Sequence, residues 1–190
     1  MKVTKAQALE NRQHIVETAS VLFRERGYDG VGVAELMATA GFTHGGFYKH
    51  FGSKADLMAE AAAFSFEHSA VLSSKANIAD FVKYYLSPEH RDAPGNGCTM
   101  AALCTDASRQ TESVKETFAA GIEKQLAILA SKNAELTGAD VNQSRARQIA
   151  LIAQAVGAIV LSRSCPQDSP LADEILEACL DSIAGLSGQA

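Results

Sequence analysis

The sequence lacks any apolar run of the roughly 18 residues that a membrane span requires. Its first residues, MKVTKAQALENRQ, contain no apolar core of a signal peptide, so nothing there indicates export. We therefore expect a cytoplasmic protein with no membrane partner. Hydrophobic residues make up 47% of the 190 residues and charged residues 21%, which is typical of a globular chain with one substantial domain or two small ones.

Cysteine is scarce as well. The four cysteines form no CxxC pair and no Cys/His zinc spacing. Cys98 and Cys104 on one helix would point about 120° apart, which suits a disulfide poorly. The simplest interpretation is that the thiols are small buried hydrophobes. The five histidines are scattered. We therefore expect no metal site and no cofactor.

Motifs that mark enzymes are also missing. The chain contains no HExxH pair, no phosphate-binding P-loop and no hydrolase-like order of Ser, His and Asp. We find no internal repeat and no strand-like alternation. These absences argue against an enzyme. An all-α enzyme, a thiol-redox protein or a helical adaptor that uses its apolar C-terminal helices stay open as alternatives.

Charge is modest, and its distribution matters more than its sum. The formal net charge of −5 disfavours a nucleic-acid partner when the chain is taken as a whole. Residues 1–58, however, hold seven Lys/Arg and six Asp/Glu, a net charge of +1, so that the remainder, −5 less +1, carries −6. The acidic excess therefore lies outside the N-terminal part.

What the chain does contain is helical spacing with start and stop signals. Thr4 with Gln7 and Ser53 with Asp56 resemble capping boxes, Ser169-Pro170 is a strong helix start, and Gly27 marks a helix end. The segment 87–97, rich in proline and glycine, is expected to be a loop. The predicted fold class is all-α, with about nine helices over residues 4–26, 33–40, 43–51, 53–74, 77–86, 98–108, 112–136, 141–164 and 169–186.

The most informative part of the sequence is the segment 41–54, GFTHGGFYKHFGSK. A tight turn at Gly41-Phe42 separates it from a preceding apolar helix, and Thr43 occupies an N-cap position whose hydroxyl can accept a backbone N–H. Phe47 and Phe51 share one helix face and can pack inward. The other faces combine glycine, histidine, tyrosine and lysine, which suits a helix that approaches DNA bases closely. A short core helix is the alternative, and it does not explain that combination.

From residue 11 to residue 58 the chain resembles the DNA-binding domain of the tetracycline-repressor (TetR) family. The order and spacing of the matching residues are specific: Ile15, Ala19, Phe23, Gly27, Tyr28, Val33, Leu36, Ala40, Gly41, Thr43, Phe47, Tyr48, His50, Phe51, Ser53, Lys54 and Leu57. The resemblance implies a helix-turn-helix domain over 1–53 and an effector-binding and dimerisation domain over 54–190. It implies a homodimeric repressor that a small effector releases from palindromic double-stranded operator DNA.

The resemblance also implies residue roles at the DNA. Thr43, Tyr48, His50 and Lys54 would contact phosphates, and His44, Gly45, Gly46 and Lys49 would lie nearest the bases. Taken singly, Tyr48 could be a half-buried core residue and Lys54 a solvated lysine. One departure from the family pattern is Gly32, which stands where a hydroxyl residue usually caps the second helix.

The last two helices are apolar on most of their surface, which predicts burial on more than one side. A two-fold interface would supply the second side, as it does in the resembled family, although an internal core is the alternative. The residues predicted for dimerisation are Leu151, Ile152, Ala155, Val156, Ile159, Val160, Leu176, Leu180 and Ile183.

An effector pocket is expected among the central helices, and few charged residues interleave with its candidate lining. This composition predicts a largely apolar effector. Core filling remains the alternative for each residue taken alone. The candidates are Phe64, Phe81, Tyr84, Tyr85, Met100, Leu103, Cys104, Phe118, Ile122 and Leu126. Cys98, at a predicted helix start that favours a thiolate, offers a different mechanism, in which Cys98 or Cys104 senses oxidants or electrophiles.

Overall fold

The computed structural model describes residues 4–75, 77–137, 141–166 and 168–187. Within these ranges the regular structure is entirely helical, which confirms the all-α prediction. None of the described helices combines the length and apolarity that a membrane crossing needs. The α-helices are α1 (Lys5–Arg26), α2 (Val33–Thr39), α3 (Lys54–Lys75), α4 (Ile78–Tyr85), α5 (Pro88–Asp92), α6 (Thr99–Ala107), α7 (Glu112–Thr137), α8 (Val141–Ser164) and α9 (Pro170–Ser187).

Two predicted helix starts are confirmed by their capping bonds. The Thr4 hydroxyl accepts the backbone N–H of Gln7 at 3.2 Å, and the Ser53 hydroxyl accepts that of Asp56 at 3.1 Å. Gly27 ends α1 with a φ of 72°, a conformation that favours glycine. These signals are local, so the sequence was sufficient to place them.

The segment 87–97 is more ordered than the predicted loop. Ser87 caps α5, its hydroxyl accepting the N–H of His90 at 3.3 Å, with Pro88 at the first helical position. A 3-10 turn follows at Pro94–Asn96. Ser87-Pro88 is the same type of helix start signal as Ser169-Pro170 at α9. The prediction of a loop gave more weight to the glycines that follow it.

The third predicted helix is a six-residue 3-10 helix, His44–Lys49. Thr43 has the extended N-cap backbone, with φ −81° and ψ 149°, but its hydroxyl accepts no capping hydrogen bond. The expected side-chain cap is therefore wrong. Two adjacent glycines supply little packing to hold a longer α-helix.

One hydrophobic core joins the N-terminal helices to the body, because α3 packs against both α1 and α7. Phe66 of α3 meets Phe118 of α7 edge to face, with ring centroids 5.3 Å apart. A side chain on Gly121 would place its Cβ 2.4 Å from the Phe66 ring, so glycine permits the close approach of these helices. A second, smaller core lies where α8 and α9 pack together.

Candidate functional site

The 3-10 helix presents one face to the core and the other outward. Phe47 is 1% exposed and its ring lies 5.4 Å from that of buried Phe51, as predicted. Tyr48, the next residue, is 69% exposed. His44 and Lys49 are exposed beside it, and the His44 ring centroid lies 6.4 Å from that of Tyr48. The outward face therefore combines an imidazole, a phenol and an ammonium group.

The two glycines of this helix differ in their surroundings. A Cβ on Gly45 would meet nothing within 4 Å, whereas one on Gly46 would lie 3.6 Å from Met37 and from the hydroxyl of Thr43. Gly45 is exposed and Gly46 half-buried. Gly45 thus leaves open the space that a bulky ligand needs if it is to reach the backbone.

The turn before this helix fixes its orientation relative to α2. Gly41 has a φ of 80°, and the N–H of Phe42 donates to the carbonyl of Met37 at 2.7 Å. At the other end of α2, Gly32 is the N-cap and makes no side-chain capping bond. Glycine therefore both closes the turn and leaves the start of α2 without a hydroxyl.

Lys54 has a partner inside the protein. Its Nζ donates to the carbonyl oxygen of Tyr28 at 2.5 Å and lies 6.0 Å above the ring centroid of Phe23. The ammonium group therefore fastens the start of α3 to the turn after α1. The ammonium group has two further N–H donors, so this bond leaves it able to contact a phosphate as well.

Arg12 is a positioning residue that the sequence analysis missed. Its Nε donates to the carbonyl of His50 at 3.3 Å, its guanidinium lies 4.7 Å from the Phe51 ring centroid, and it forms an ion pair with Glu60. It thereby holds the end of the 3-10 helix against α1 and α3. His50 itself is half-buried. Because Arg12 and His50 are 38 residues apart in the sequence, no local pattern indicated that they are in contact.

A mostly apolar cavity of about 150 Å³ lies between α3, α4, α6, α7 and α8. Four predicted effector residues line it: Phe81, Tyr84, Tyr85 and Met100. The other six do not line this cavity. Leu103, Phe118 and Leu126 are at most 5% exposed and fill the interior, while Phe64, Cys104 and Ile122 pack against the main core.

Polar groups are concentrated at one end of the cavity. The His90 ring bridges two backbone groups there: Nδ1 lies 2.7 Å from the Tyr85 carbonyl, and the N–H of Cys98 donates to Nε2 at 3.1 Å. His90 is thus neutral with its proton on Nδ1, and burial lowers its pKa. The Thr99 hydroxyl is buried and has no hydrogen-bond partner within the described ranges, and the buried Tyr85 hydroxyl lies beside the Cys98 thiol.

The apolar residues of α8 and α9 divide between two uses. Leu151, Ile152, Ala155, Val156 and Ile183 line the cavity. Ile159 and Leu176 are 0% and 2% exposed and so pack within the subunit, and Leu180 is half-buried on the second core. Val160, at 41% exposure, keeps an outward position.

Further exposed apolar residues of α8 and α9 are not among the nine predicted for dimerisation. Ile149 is 47% exposed, Leu161 57% and Leu171 53%, and Ala153 is exposed as well. Ile149, Ala153 and Val160 follow helical spacing along α8. A helix that is apolar all round allowed no choice between inward and outward faces from the sequence.

The four cysteines are half-buried free thiols. Cys98 is the N-cap of α6 and lines the cavity. Both Cys98 and Cys104 pack against the main core, and burial raises the pKa of the Cys104 thiol to about 11.

Comparison with known proteins agrees with this geometry. Residues 15–61 match the family model of bacterial regulatory proteins, tetR family. The HTH-type transcriptional regulator AcrR of Shigella flexneri is 42% identical over 57 residues, which cover 30% of this chain and 26% of AcrR. An uncharacterized HTH-type transcriptional regulator of Mycobacterium tuberculosis is 27% identical over 177 residues, covering 84% of this chain and 88% of that protein.

The whole fold has a counterpart among solved structures. The reduced form of Escherichia coli NemR superposes with a TM-score of 0.75 at 21% identity, covering 93% of this chain and 96% of that one. At this level of identity the likeness concerns the fold. Together with the family-model match and the exposed 3-10 helix over a buried Phe47–Phe51 pair, it leads to one conclusion: residues 15–61 belong to the tetR family of bacterial regulatory proteins, and the chain has the fold of solved regulators of that family.

Proposed function

We propose that this protein is a homodimeric repressor that binds a palindromic operator and is released from it by a small, largely apolar effector. The proposal rests mainly on the outward face of the 3-10 helix, where Tyr48, His44 and Lys49 are exposed while Phe47 and Phe51 pack in the core beneath them. Cationic and hydrogen-bonding side chains on a short helix supply what a DNA groove requires.

Each residue on this face has a proposed role. Tyr48 and Thr43 donate to phosphates, and His44, Gly45, Gly46 and Lys49 lie nearest the bases. His50 and Lys54 also contact phosphates, and the Lys54 ammonium, which bonds to the Tyr28 carbonyl, holds the start of α3 in position as well. The proposed DNA-binding unit is residues 1–53, and the remainder binds the effector and the second subunit.

The proposed dimer interface lies on the outward apolar face of α8 and the start of α9. Ile149, Val160, Leu161 and Leu171 supply exposed apolar area there, and Ala153 permits close approach of a second helix. A two-fold contact would place two 3-10 helices in successive major grooves, about 34 Å apart.

The proposed effector site is the apolar cavity, and α3 is the proposed link to DNA. Lys54 at the start of α3 bonds to the turn after α1, and Phe66, Ser69 and Ser73 farther along α3 line the cavity. A ligand that displaces α3 would change the separation of the two DNA-binding units. Release requires that the ligand favour the non-binding separation, typically by about 1–3 kcal/mol.

Selection from a random duplex library, followed by mobility shift, tests the DNA-binding function. We expect an inverted repeat. Tyr48→Phe should weaken binding to the selected duplex by about 1 kcal/mol on every sequence, because one phosphate donor is lost. Lys49→Ala should relax base preference, if its contact is to a base. Lys115→Ala, which removes an exposed lysine of the body, is the matched control for Lys49→Ala. Full affinity in a Tyr48→Ala/Lys49→Ala double variant would contradict the proposed face.

Thiol sensing is a second candidate function, favoured by one observation. Cys98 stands at the start of α6 and lines the cavity, so an electrophile that enters the cavity reaches its sulfur. N-ethylmaleimide should release operator from the wild type but not from Cys98→Ser. Cys165→Ser, which removes a half-buried thiol outside this cavity, is the control. Equal release in the wild type and Cys98→Ser rules Cys98 out.

A further inference from the structure

A second cavity, of about 380 Å³, lies where the C-terminal end of α1 meets the body. We call it the junction cavity. Three arginines, Arg24, Arg91 and Arg163, and two carboxylates, Glu25 and Asp92, are among its lining residues. It is separate from the apolar effector cavity in lining and in chemistry, because neither Arg24 nor Arg163 lines the latter.

The hydrogen bonds of Arg163 go to neutral groups only, although the charge of the nearby Asp92 carboxylate also acts on its guanidinium group. Its Nε donates to the carbonyl of Arg91 at 2.8 Å and its Nη2 to the carbonyl of His90 at 2.9 Å. Its Nη1 is buried and has no hydrogen-bond partner in the described part of the chain. Burial lowers the pKa of Arg163. Buried guanidinium groups are ordinarily paired with an anion, so one donor of Arg163 remains to be satisfied.

Arg24 of α1 is also hydrogen-bonded to neutral groups, although each of its three guanidinium nitrogens has a partner. Its Nε donates to the carbonyl of Gly95 at 2.9 Å, and its two terminal nitrogens bond to that carbonyl and to the Ser65 hydroxyl. Burial lowers its pKa too, although the charge of the neighbouring Glu25 acts in the opposite direction. Among the described residues, its hydrogen bonds reach a carbonyl and a hydroxyl rather than a carboxylate.

Of the two carboxylates that line the junction cavity, Asp92 already has hydrogen-bond partners. Both oxygens of Asp92 accept hydrogen bonds from Arg91, at 2.7 and 3.1 Å, and Arg91 also reaches Asp173 at 2.6 Å. Arg91 therefore forms ion pairs with two carboxylates, whereas Glu25 acts on Arg24 and Asp92 on Arg163 only through their charge, without a hydrogen bond. Glu25 remains near Arg24, but it is exposed to solvent.

We propose that the junction cavity binds a small oxyanion, a carboxylate or a phosphate, through Arg163 and Arg24. The planar guanidinium group matches both anions in bidentate geometry, and the volume admits such a group. Arg24 belongs to α1 and Arg163 to α8, so an anion between them ties the proposed DNA-binding unit to the body. This site goes beyond the proposed effector function and does not depend on it.

Thermal unfolding of the full chain tests the site without DNA or an apolar ligand. Inorganic phosphate and acetate are titrated separately at constant ionic strength, with sodium chloride as the balance. We expect one of the two oxyanions to raise the midpoint in a saturable way. Arg163→Met and Arg24→Met should weaken the apparent affinity about tenfold or more, because hydrogen bonds to a charged partner are lost. Arg145→Met, which removes an exposed arginine of the body, should leave it unchanged. A wild type without a saturable response to either anion overturns the proposal.

Amide hydrogen exchange shows where the anion binds. It is measured on the wild type, so it does not depend on whether the arginine variants fold. In the wild type the effective anion should slow amide exchange in residues 24–27 and 93–97 and leave the effector-cavity segment 78–84 unaffected. Unchanged exchange in 24–27 and 93–97 places the anion elsewhere and contradicts the site. Phosphate and acetate are distinguished by which of them produces both responses.

Discussion

The backbone N–H of Tyr28 donates a 2.8 Å hydrogen bond to Oδ2 of Asp106, across 78 residues of sequence. This bond joins the turn after α1 to helix α6. The other carboxylate oxygen of Asp106 pairs with Arg109 at 2.9 Å on the surface. One aspartate therefore connects the N-terminal helices to the body while remaining partly in solvent.

Replacing Asp106 by alanine should destabilise the protein by about 1–3 kcal/mol, because the Tyr28 N–H loses its acceptor where Tyr28 is buried. Arg109→Ala removes only the exposed ion pair and should cost at most about 1 kcal/mol. Urea unfolding followed by circular dichroism compares the two variants. Equal losses would show that the ion pair, rather than the backbone bond, supplies the stability.

Adjacent residues of α8 should respond oppositely to a charge. Val160→Glu, at an outward position, should give a folded monomer, because two like charges would be brought together at the proposed two-fold contact. Ile159→Glu should unfold the chain, because Ile159 is 0% exposed and an unpaired buried charge costs several kcal/mol, about 3–5 in measured cases. Light scattering and circular dichroism separate these outcomes. A wild type that is monomeric at micromolar concentration would remove the basis for the interface.

Stability should fall as the pH drops below about 6.5, through the titration of His90. Burial lowers the pKa of His90 from its ordinary value of 6.5. Between the lowered pKa and 6.5 the unfolded chain binds a proton that the folded chain does not, so acid favours unfolding. His90→Gln should flatten this slope in urea midpoints measured from about pH 7.5 to pH 5, whereas His68→Gln, at an exposed position, should not. The same slope in the wild type and His90→Gln would assign the effect to other groups.

Two mid-helix glycines provide a matched pair. Gly121→Ala should destabilise the protein by about 1–3 kcal/mol, because the new Cβ would lie 2.4 Å from the Phe66 ring. Gly157→Ala meets nothing within 4 Å and should stabilise α8 by up to about 1 kcal/mol through helix propensity. Midpoints of thermal unfolding decide between them. A neutral Gly121→Ala would mean that α3 and α7 can separate at little cost.

Local features of the sequence predicted most of the fold. Thr4 and Ser53 begin helices where expected, and Gly27 ends one, because caps act through neighbours three or four residues away. The Phe47–Phe51 pair was also predictable, since four residues along a helical turn return to the same face. The errors at Ser87 and Thr43 concern short segments, where packing rather than propensity sets the conformation.

Long-range placement was the part that local signals could not supply. Whether Leu151 faces a cavity and Ile159 a core depends on which helices surround α8, and both residues have the same apolar character. Lys54 resembled a phosphate ligand, but its bond to the Tyr28 carbonyl arises only when α3 packs against the turn after α1. The two arginines of the junction cavity, on α1 and α8, are 139 residues apart in the sequence.

The sequence by itself determined the helical class, the helix boundaries set by caps and glycines, and the family to which the N-terminal segment belongs, because each follows from neighbouring residues or from a fixed spacing. The tertiary structure alone decided which apolar faces line a cavity, which remain outward, and which charges lose their partners. Those outcomes depend on the packing of distant helices, and burial, rather than residue type, then sets the energy of each group.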